Sequence, residues 1–188
     1  MIKIKTIVCM KSGGVGVLPT DTLYGLVGSA FSPVAVEKIY RLKKRDPKKP
    51  LIVLISDWQD LEKFGVEISV ADKKILEKYW PGPFSVILPV YPAKGDGVAR
   101  NNFEYLDCST NTISFRWPKD ERLQKILKET GPLVAPSANP EGLPPATTIA
   151  EAKKYFGNAV DFYQNGGKIT NKPSTLIKLQ NGKVSQIR

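Results

Sequence analysis

Residues 43–50 constrain the chain more than any other stretch, because a dense group of cations is closed there by two prolines. Pro47 and Pro50 forbid a continuing helix, so the preceding helix gives way to a loop with restricted backbone angles. Neighbouring positive charges repel one another, and an anion such as a polyphosphate would relieve that repulsion. The alternative for this stretch alone is a solvated basic loop without a ligand. The cations are Lys43, Lys44, Arg45, Lys48 and Lys49.

The 188 residues and the net charge of +10 indicate the size of the protein and the kind of partner it attracts. A chain of this length is expected to form a single domain, residues 1–188, that buries roughly 70% of its unfolded surface. The positive charge predicts attraction to nucleotides, RNA or an acidic partner without choosing among them.

The N-terminus and the cysteines indicate the compartment. The first residues alternate charged and apolar side chains, so they form neither a secretory signal nor a membrane span, and a cytoplasmic protein is predicted. Cys9 and Cys108 are few for a secreted protein, which favours a reducing compartment, although two thiols could still pair.

The sequence contains no histidine. This removes the usual general base, the Ser-His-Asp triad and nearly all zinc-hydrolase schemes. Any catalysis must therefore use lysine, arginine, hydroxyl groups, carboxylates, or a metal ion that arrives with the substrate.

Short apolar runs alternate with amphipathic segments along most of the chain. Ser32–Pro33 is a helix start, Gly131–Pro132 is a helix stop, and Asn181–Gly182 predicts a two-residue hairpin turn. Strands are predicted over 15–19, 51–55, 85–90, 112–116, 133–136, 160–164, 175–179 and 184–188, and helices over 33–42, 58–64, 71–79, 119–130 and 148–156. Residues 2–11 fit a strand or a short helix, and 92–111 are predicted to be an irregular loop and a candidate lid.

Polar side chains recur at the ends of the predicted strands, where open α/β sheets usually present ligand groups. An ordinary capped turn is the alternative for those that follow residue 19. The cations among them suit phosphates or a carboxylate, and the short polar groups suit directional hydrogen bonds, so we expect one cleft. The cations are Lys43, Arg45 and Arg116, and the short polar groups are Thr22, Ser137, Asn139 and Ser174.

Several motifs stand in a fixed order between residues 12 and 188. They are Pro19-Thr-Asp-Thr-Leu-Tyr-Gly-Leu, the Lys-x-Arg of Lys43 and Arg45, Pro50-Leu51, Trp80-Pro-Gly-Pro, Arg116 ahead of Pro118, Ala135-Pro-Ser-Ala-Asn139 and Ser174-Thr175. In this combination the chain resembles the YrdC-type threonylcarbamoyl-adenylate synthases in their short, single-domain form.

The resemblance implies an α/β (α+β) fold, with a twisted, mixed and largely open sheet wrapped by helices around a basic concave cleft. It also implies that the protein joins L-threonine, bicarbonate or CO2, and ATP into threonylcarbamoyl-adenylate and releases pyrophosphate. A downstream threonylcarbamoyl-transferase machinery would use the product on adenosine 37 of tRNAs that read codons beginning with A. Mg2+ is expected to be held mainly by the ATP phosphates.

The resemblance further assigns residues to the two substrates. Those that match the nucleotide contacts are Lys43, Arg45, Lys49, Thr112, Asn139, Thr147 and Arg188, with Lys43 and Arg45 as the catalytic pair. Those that match the threonine contacts are Thr22, Arg116, Ser137 and Ser174, with Arg116 on the carboxylate. Replacing Lys43 or Arg45 by alanine is expected to abolish ATP-dependent pyrophosphate release and to leave the fold intact.

The implied chemistry needs no histidine. Carboxylated threonine is a carbamate, which is already anionic and nucleophilic, so attack on the α-phosphorus mainly needs positioning and neutralised charge.

In one departure from the family, Leu54 stands where many relatives carry a histidine, which leaves recognition of the threonine hydroxyl unassigned. In another, longer relatives continue into a further domain after the position of Arg188, so closure over the site is expected from residues 92–111.

Two other classes compete with this interpretation. The positive charge also fits an RNA-binding module with weak affinity for tRNA, although no aromatic-rich stacking motif is present. The carbamoyl-transfer domain of hydrogenase maturation proteins shares the fold and the nucleotide motifs. Those proteins attach it to zinc-finger segments, and this chain has no cysteine pairs at zinc spacing.

Overall fold

The computed structural model describes residues 4–90 and 103–188, which form the following elements. The helices are α1 (Ile4–Lys11), α2 (Pro33–Lys43), α3 (Gln59–Glu62), α4 (Val70–Leu76), α5 (Glu104–Asp107), α6 (Glu121–Thr130) and α7 (Ile149–Phe156). The strands are β1 (Gly16–Pro19), β2 (Tyr24–Ser29), β3 (Ile52–Leu54), β4 (Phe84–Pro89), β5 (Thr112–Arg116), β6 (Leu133–Val134), β7 (Phe162–Tyr163), β8 (Thr175–Gln180) and β9 (Lys183–Gln186).

All these strands belong to one sheet in the order β7-β1-β2-β6-β3-β5-β4-β8-β9. The pairs β1/β7, β3/β5 and β4/β8 are parallel, and the other neighbouring pairs are antiparallel. Within the described residues the two outer strands, β7 and β9, lie at opposite edges. The prediction of a mixed, open sheet with helices around it is therefore confirmed.

The start and the end of α2 follow from local sequence. Ser32 Oγ accepts a hydrogen bond from the Ala35 N–H at 3.2 Å, and Pro33 occupies the first turn, where its missing N–H costs nothing. At the other end Lys44 adopts a left-handed conformation with φ of 50°, and its N–H returns to the carbonyl of Arg41. This cap turns the chain directly into the cationic loop of residues 43–50.

The sheet carries a hydrophobic core on each face. Val53 of β3 lies in the larger core, to which α2 contributes Val36 and Ile39. Its neighbour Leu54 lies in the smaller core, which α1 and α6 cover with residues that include Met10 and Leu123. Because successive strand residues point to opposite faces, α2 and α6 lie on opposite sides of the sheet.

The sequence determines the backbone geometry at two points, the turn between β8 and β9 and the start of α7. Asn181 and Gly182 form the predicted hairpin turn between β8 and β9, with φ of 51° and 70° as a type I′ turn requires. At the start of α7, Thr148 Oγ1 accepts from the Glu151 N–H at 3.2 Å, which is the first hydrogen bond of a capping box. The Glu151 carboxylate, however, accepts from the N–H of Thr147, one residue before the expected partner.

The structure decides or corrects three expectations. Of the two possibilities for the N-terminal segment, the helix is correct, because Ile7 and Met10 of α1 both pack into the smaller core at helical spacing. The irregular loop predicted for 92–111 was wrong over Glu104–Asp107, which form α5, and residues 92–102 of this candidate lid lie outside the described residues. The strands predicted over 133–136 and 160–164 shrink to two residues each.

Across residues 4–90 and 103–188, no helix has the length and apolar composition that crossing a bilayer requires. Cys9 and Cys108 are both free thiols, so they do not pair with each other.

Candidate active site

A cavity of about 250 Å³ lies where the ends of several strands meet, and its lining includes five of the predicted site residues. These five are Thr22, Arg116, Ser137, Ser174 and Arg188. Thr22 lies in the turn between β1 and β2, Arg116 ends β5, and Ser174 directly precedes β8. An isolated antiparallel bridge between Gly25 and Ser137 holds the turn after β6 beside the β1–β2 turn. The sheet topology thus gathers residues that are up to about 170 positions apart in the chain.

Arg116 is the buried cation of this cavity, with a side chain only 5% exposed. Its Nη1 donates to Thr22 Oγ1 at 2.6 Å, and its Nη2 lies 3.1 Å from Asp21 Oδ1. Burial lowers the pKa of the Arg116 guanidinium, and the Asp21 carboxylate opposes that shift. Its Nε has no acceptor within the described residues. Arg116 therefore brings a desolvated positive charge to the cavity lining.

Small hydroxyl groups complete the lining. Ser174 Oγ lies 2.8 Å from Ser85 Oγ, and both side chains are buried. Thr22 Oγ1, besides accepting from Arg116, lies 3.2 Å from Thr20 Oγ1. Each hydroxyl is held by a second group, which fixes its direction toward a ligand in the cavity.

Lys43 connects the cationic loop to this cavity. Its side chain is turned inward from the last turn of α2, and the residue is only 3% exposed. Its Nζ donates to the main-chain oxygen of Ser137 at 2.5 Å and of Asn139 at 2.7 Å, and lies 3.4 Å from Asn139 Oδ1. Burial, together with Arg45, lowers the pKa of Lys43 to about 8, and Glu141 opposes the shift. All three N–H groups of this ammonium point at protein oxygens.

Arg45 and Lys49 share a carboxylate that the sequence analysis does not name. Lys49 Nζ lies 2.7 Å and Arg45 Nη1 3.9 Å from Glu141 Oε1. The Arg45 guanidinium also donates to the main-chain oxygens of Lys49 and Pro50, both at 3.2 Å. These hydrogen bonds fix the guanidinium against its own loop, with one face toward the turn that carries Glu141.

The other predicted nucleotide residues occupy different places. Asn139 is buried, and its Nδ2 donates to the carbonyls of Pro140 and Leu143 at 3.0 and 2.7 Å, so its amide shapes the turn after β6. Thr147 Oγ1 donates to Glu151 Oε2 at 3.1 Å. The structure brings Asn139 into contact with Lys43, but neither Thr147 nor Asn139 lines the cavity of Arg116.

Thr112 lies at the opposite end of β5 from Arg116. Side chains at alternate strand positions share a face, so Thr112, Ser114 and Arg116 lie in one row along the same side of the sheet. Four residues of strand separate the ends of that row by about 13 Å.

Three residues that hold the site together are missing from the sequence-based assignment. Asp21 stands inside the quoted Thr-Asp-Thr motif, which is a signal that could have found it. Glu141 follows the Ser-x-Asn motif by two residues and becomes significant only once the cationic loop is folded against it. Nothing in the local sequence marks Ser85, which acts through its contact with Ser174.

A larger groove of about 1000 Å³ lies beside this cavity, between α6 and the loop of residues 164–171. It shares Thr20 with the cavity but is lined by none of the predicted site residues. The candidate site is therefore the smaller cavity together with the cationic loop.

Fold and site together define a mixed α/β protein whose cations and hydroxyl groups converge on a small-molecule site for anions. Residues 8–188 match the Sua5/YciO/YrdC family model, whose description reads "Telomere recombination". The chain belongs to this family, as its motifs predict.

Individual relatives agree with the family match. A threonylcarbamoyl-AMP synthase of Buchnera aphidicola is 33% identical over 88% of this chain and 92% of the relative, and one of Idiomarina loihiensis is 32% identical over 91% and 90%. The structure of Pyrococcus abyssi Sua5 complexed with L-threonine has a TM-score of 0.85 and 26% identity, and the match covers 98% of this chain. This chain spans 52% of that larger protein's chain.

Proposed function

We propose that this chain is an enzyme that forms threonylcarbamoyl-AMP and pyrophosphate from L-threonine, bicarbonate or CO2, and ATP. The observation that carries the proposal is the contact between Lys43 and Ser137, which joins a cationic loop suited to phosphates to a cavity suited to an amino acid. Two substrates that must react with each other need adjacent sites of these two kinds. The similarity to threonylcarbamoyl-AMP synthases over nearly the whole chain supports the same activity.

Threonine is assigned to the cavity of about 250 Å³. The charge of Arg116 suits the carboxylate, because charge-assisted hydrogen bonds to a desolvated guanidinium are strong and directional. The hydroxyls of Thr22, Ser137 and Ser174 then orient the remaining polar groups of the amino acid. Leu54 is fully buried in the smaller core and does not line the cavity, so this position offers no hydrogen bond to the threonine hydroxyl.

The ATP phosphates are assigned to Arg45 and Lys49, which face the turn after β6 from the cationic loop. Lys43 is proposed to act through its ammonium, which already holds the Ser137–Asn139 turn. Its longest contact, 3.4 Å to Asn139 Oδ1, is the one that a phosphate oxygen would replace. Thr112, Asn139, Thr147 and Arg188 remain proposals for the rest of the nucleotide.

The chemistry fits a site without histidine. The threonine amine takes up CO2 and loses a proton, which gives a carbamate. A carbamate oxygen then attacks the α-phosphorus, and the bond to pyrophosphate breaks. The protein's part is to hold both anions in line and to neutralise the charge on the phosphates, which the cations of the loop can do.

Mg2+ is assigned mainly to the ATP phosphates. Within the described residues no group of three cysteine, aspartate or glutamate side chains is placed to bind a metal ion. Mg2+ ordinarily reaches such sites on substrate phosphates and keeps several of its waters. We place the reaction in the cytoplasm, with the product passing to a threonylcarbamoyl-transferase machinery that modifies tRNA.

The decisive experiment incubates the protein with ATP, Mg2+ and bicarbonate, and with threonine, serine or no amino acid. Pyrophosphate and the mixed anhydride are expected with threonine and only at background without it. Pyrophosphate release that does not depend on an amino acid would contradict the proposal. Salt-titrated binding of RNA and of ATP separates it from an RNA-binding role, since RNA affinity should fall more steeply with salt.

A further inference from the structure

The cationic loop already contains an anion of its own. Glu141 Oε1 lies 2.7 Å from Lys49 Nζ and 3.9 Å from Arg45 Nη1, and Glu141 Oε2 accepts from the Asp46 N–H at 3.3 Å. We propose that Glu141 is an internal competitor of the nucleotide phosphates, which holds their cations in the free protein and is displaced when ATP binds. The inference rests on the proposed function of this site.

The attachment of Glu141 allows such an exchange. Its main-chain N–H donates to the carbonyl of Lys43 at 2.6 Å, so the backbone of this residue is fixed against the end of α2. Its side chain, in contrast, is 32% exposed and has three rotatable bonds. The carboxylate can therefore leave the cations by a change of rotamer while the two loops stay together.

The charge of Glu141 makes it a competitor at neutral pH. Lys49, by its hydrogen bond, and the Asp46 N–H hold the pKa of this carboxyl below its usual value, so the group is anionic at neutral pH. An arriving phosphate meets both cations already partly neutralised and a like charge beside them. A triphosphate with bound Mg2+ displaces a single carboxylate, and the carboxylate returns when pyrophosphate leaves. Glu141 thereby weakens nucleotide binding and favours product release.

A purely structural role predicts the opposite result. If Glu141 only tied the loop of residues 43–50 to the turn after β6, its removal would loosen the loop and weaken ATP binding. The two roles therefore predict opposite changes in the dissociation constant for ATP when Glu141 is replaced.

The test compares ATP and pyrophosphate binding by titration calorimetry for the unmodified protein, Glu141→Gln and the control Glu129→Gln. Both substitutions remove one negative charge, but Glu129 lies on α6, across the sheet from α2 and the cationic loop. Glu141→Gln is expected to lower the Kd of both ligands about two- to fivefold, the range of a half-exposed ion pair. Glu129→Gln is expected to leave both within the error of the measurement.

The outcomes separate the inference from the proposed function. An unchanged or raised Kd in Glu141→Gln overturns the inference even where threonine-dependent pyrophosphate release is intact. Tighter ATP binding in Glu141→Gln without any threonine-dependent release in the unmodified protein supports the inference and overturns the proposed function. No binding of ATP by either protein overturns both.

Discussion

The Nζ atom of Lys43 lies 2.7 Å from the main-chain oxygen of Asn139, so a cation at the end of α2 holds the turn that follows β6. The same ammonium donates to the carbonyl of Ser137, which lines the cavity of Arg116. One buried side chain thus connects the cationic loop, proposed to face the phosphates, with the cavity proposed for the amino acid. The contacts of Lys43 therefore set the distance between the two proposed substrate sites.

Replacing Lys43 by methionine is expected to reduce both stability and activity. The substitution keeps the length of the side chain but leaves the Asn139 carbonyl without a donor and the Ser137 carbonyl with only the Asn139 N–H, which costs about 1–3 kcal/mol. Here the structure departs from the expectation of an intact fold for a Lys43 variant. Urea unfolding measures the loss of stability, and threonine-dependent pyrophosphate release is expected to be abolished. A Lys43→Met protein as stable as the original would show that these hydrogen bonds contribute nothing.

Arg45→Met is the matched comparison. This side chain is partly exposed and its acceptors lie at the surface of its own loop, so the free energy of unfolding is expected to change by less than about 1 kcal/mol. Pyrophosphate release should nevertheless disappear, because a cation proposed to contact the phosphates is gone. Near-normal turnover in this variant would contradict the assignment of Arg45.

The activity is expected to fall as the pH rises through about 8. The pKa of Lys43 is lowered to about 8, first by burial and then by Arg45, and only the protonated form carries the charge and the three N–H donors. Above that pH the neutral amine predominates, and kcat/KM should decline. The pH profile of pyrophosphate release with saturating Mg2+ and bicarbonate measures the midpoint of this decline.

A substitution at Glu141 tests whether the pKa of Lys43 sets the pH at which the activity declines. The Glu141 carboxylate raises the pKa of Lys43, so Glu141→Gln should move the decline to lower pH. Glu129→Gln removes the same charge on the other face of the sheet and should leave the profile in place. If the activity of Glu141→Gln declines at the same pH as that of the unmodified protein, a group other than Lys43 causes the decline.

Local rules predict the parts of this fold that depend on neighbours in sequence. The cap of α2 by Ser32 and the turn at Asn181–Gly182 need only a few adjacent residues, and both are present as predicted. The strand order does not follow from such local rules, because β3 pairs parallel to β5 on one side and antiparallel to β6 on the other. Such pairings depend on packing between distant segments, which no local pattern in the sequence specifies.

The same distinction applies to the site. Residues in compact motifs, such as Thr22 and Ser137, were found from the sequence and line the cavity together. The inward turn of Lys43 was not predicted, since a lysine in a basic run suggests a solvated side chain rather than one that is 3% exposed. Its acceptors come from a turn more than ninety residues away, and only the folded chain supplies them.

Arg116→Lys is expected to weaken threonine binding selectively. Lysine keeps the charge beside Asp21 but lacks the planar fork that reaches Thr22 and the cavity at once. We expect the KM for threonine to rise about ten- to a hundredfold and the KM for ATP to stay within about twofold. The control is Arg122→Lys, because that side chain is 90% exposed and pairs with Asp120 at the surface of α6. Equal changes in the two KM values would refute a threonine-specific role for Arg116.

The buried hydroxyl pair of Ser85 and Ser174 gives the last prediction. Ser85 is fully buried and lies 2.8 Å from Ser174 Oγ, so Ser85 acts on the ligand only by orienting its partner. Ser85→Ala is expected to raise the KM for threonine about threefold to tenfold, and Ser174→Ala at least as much. The double variant should resemble Ser174→Ala, because Ser85 has no second route to the ligand. Additive effects of the two substitutions would show that the hydroxyl groups act independently.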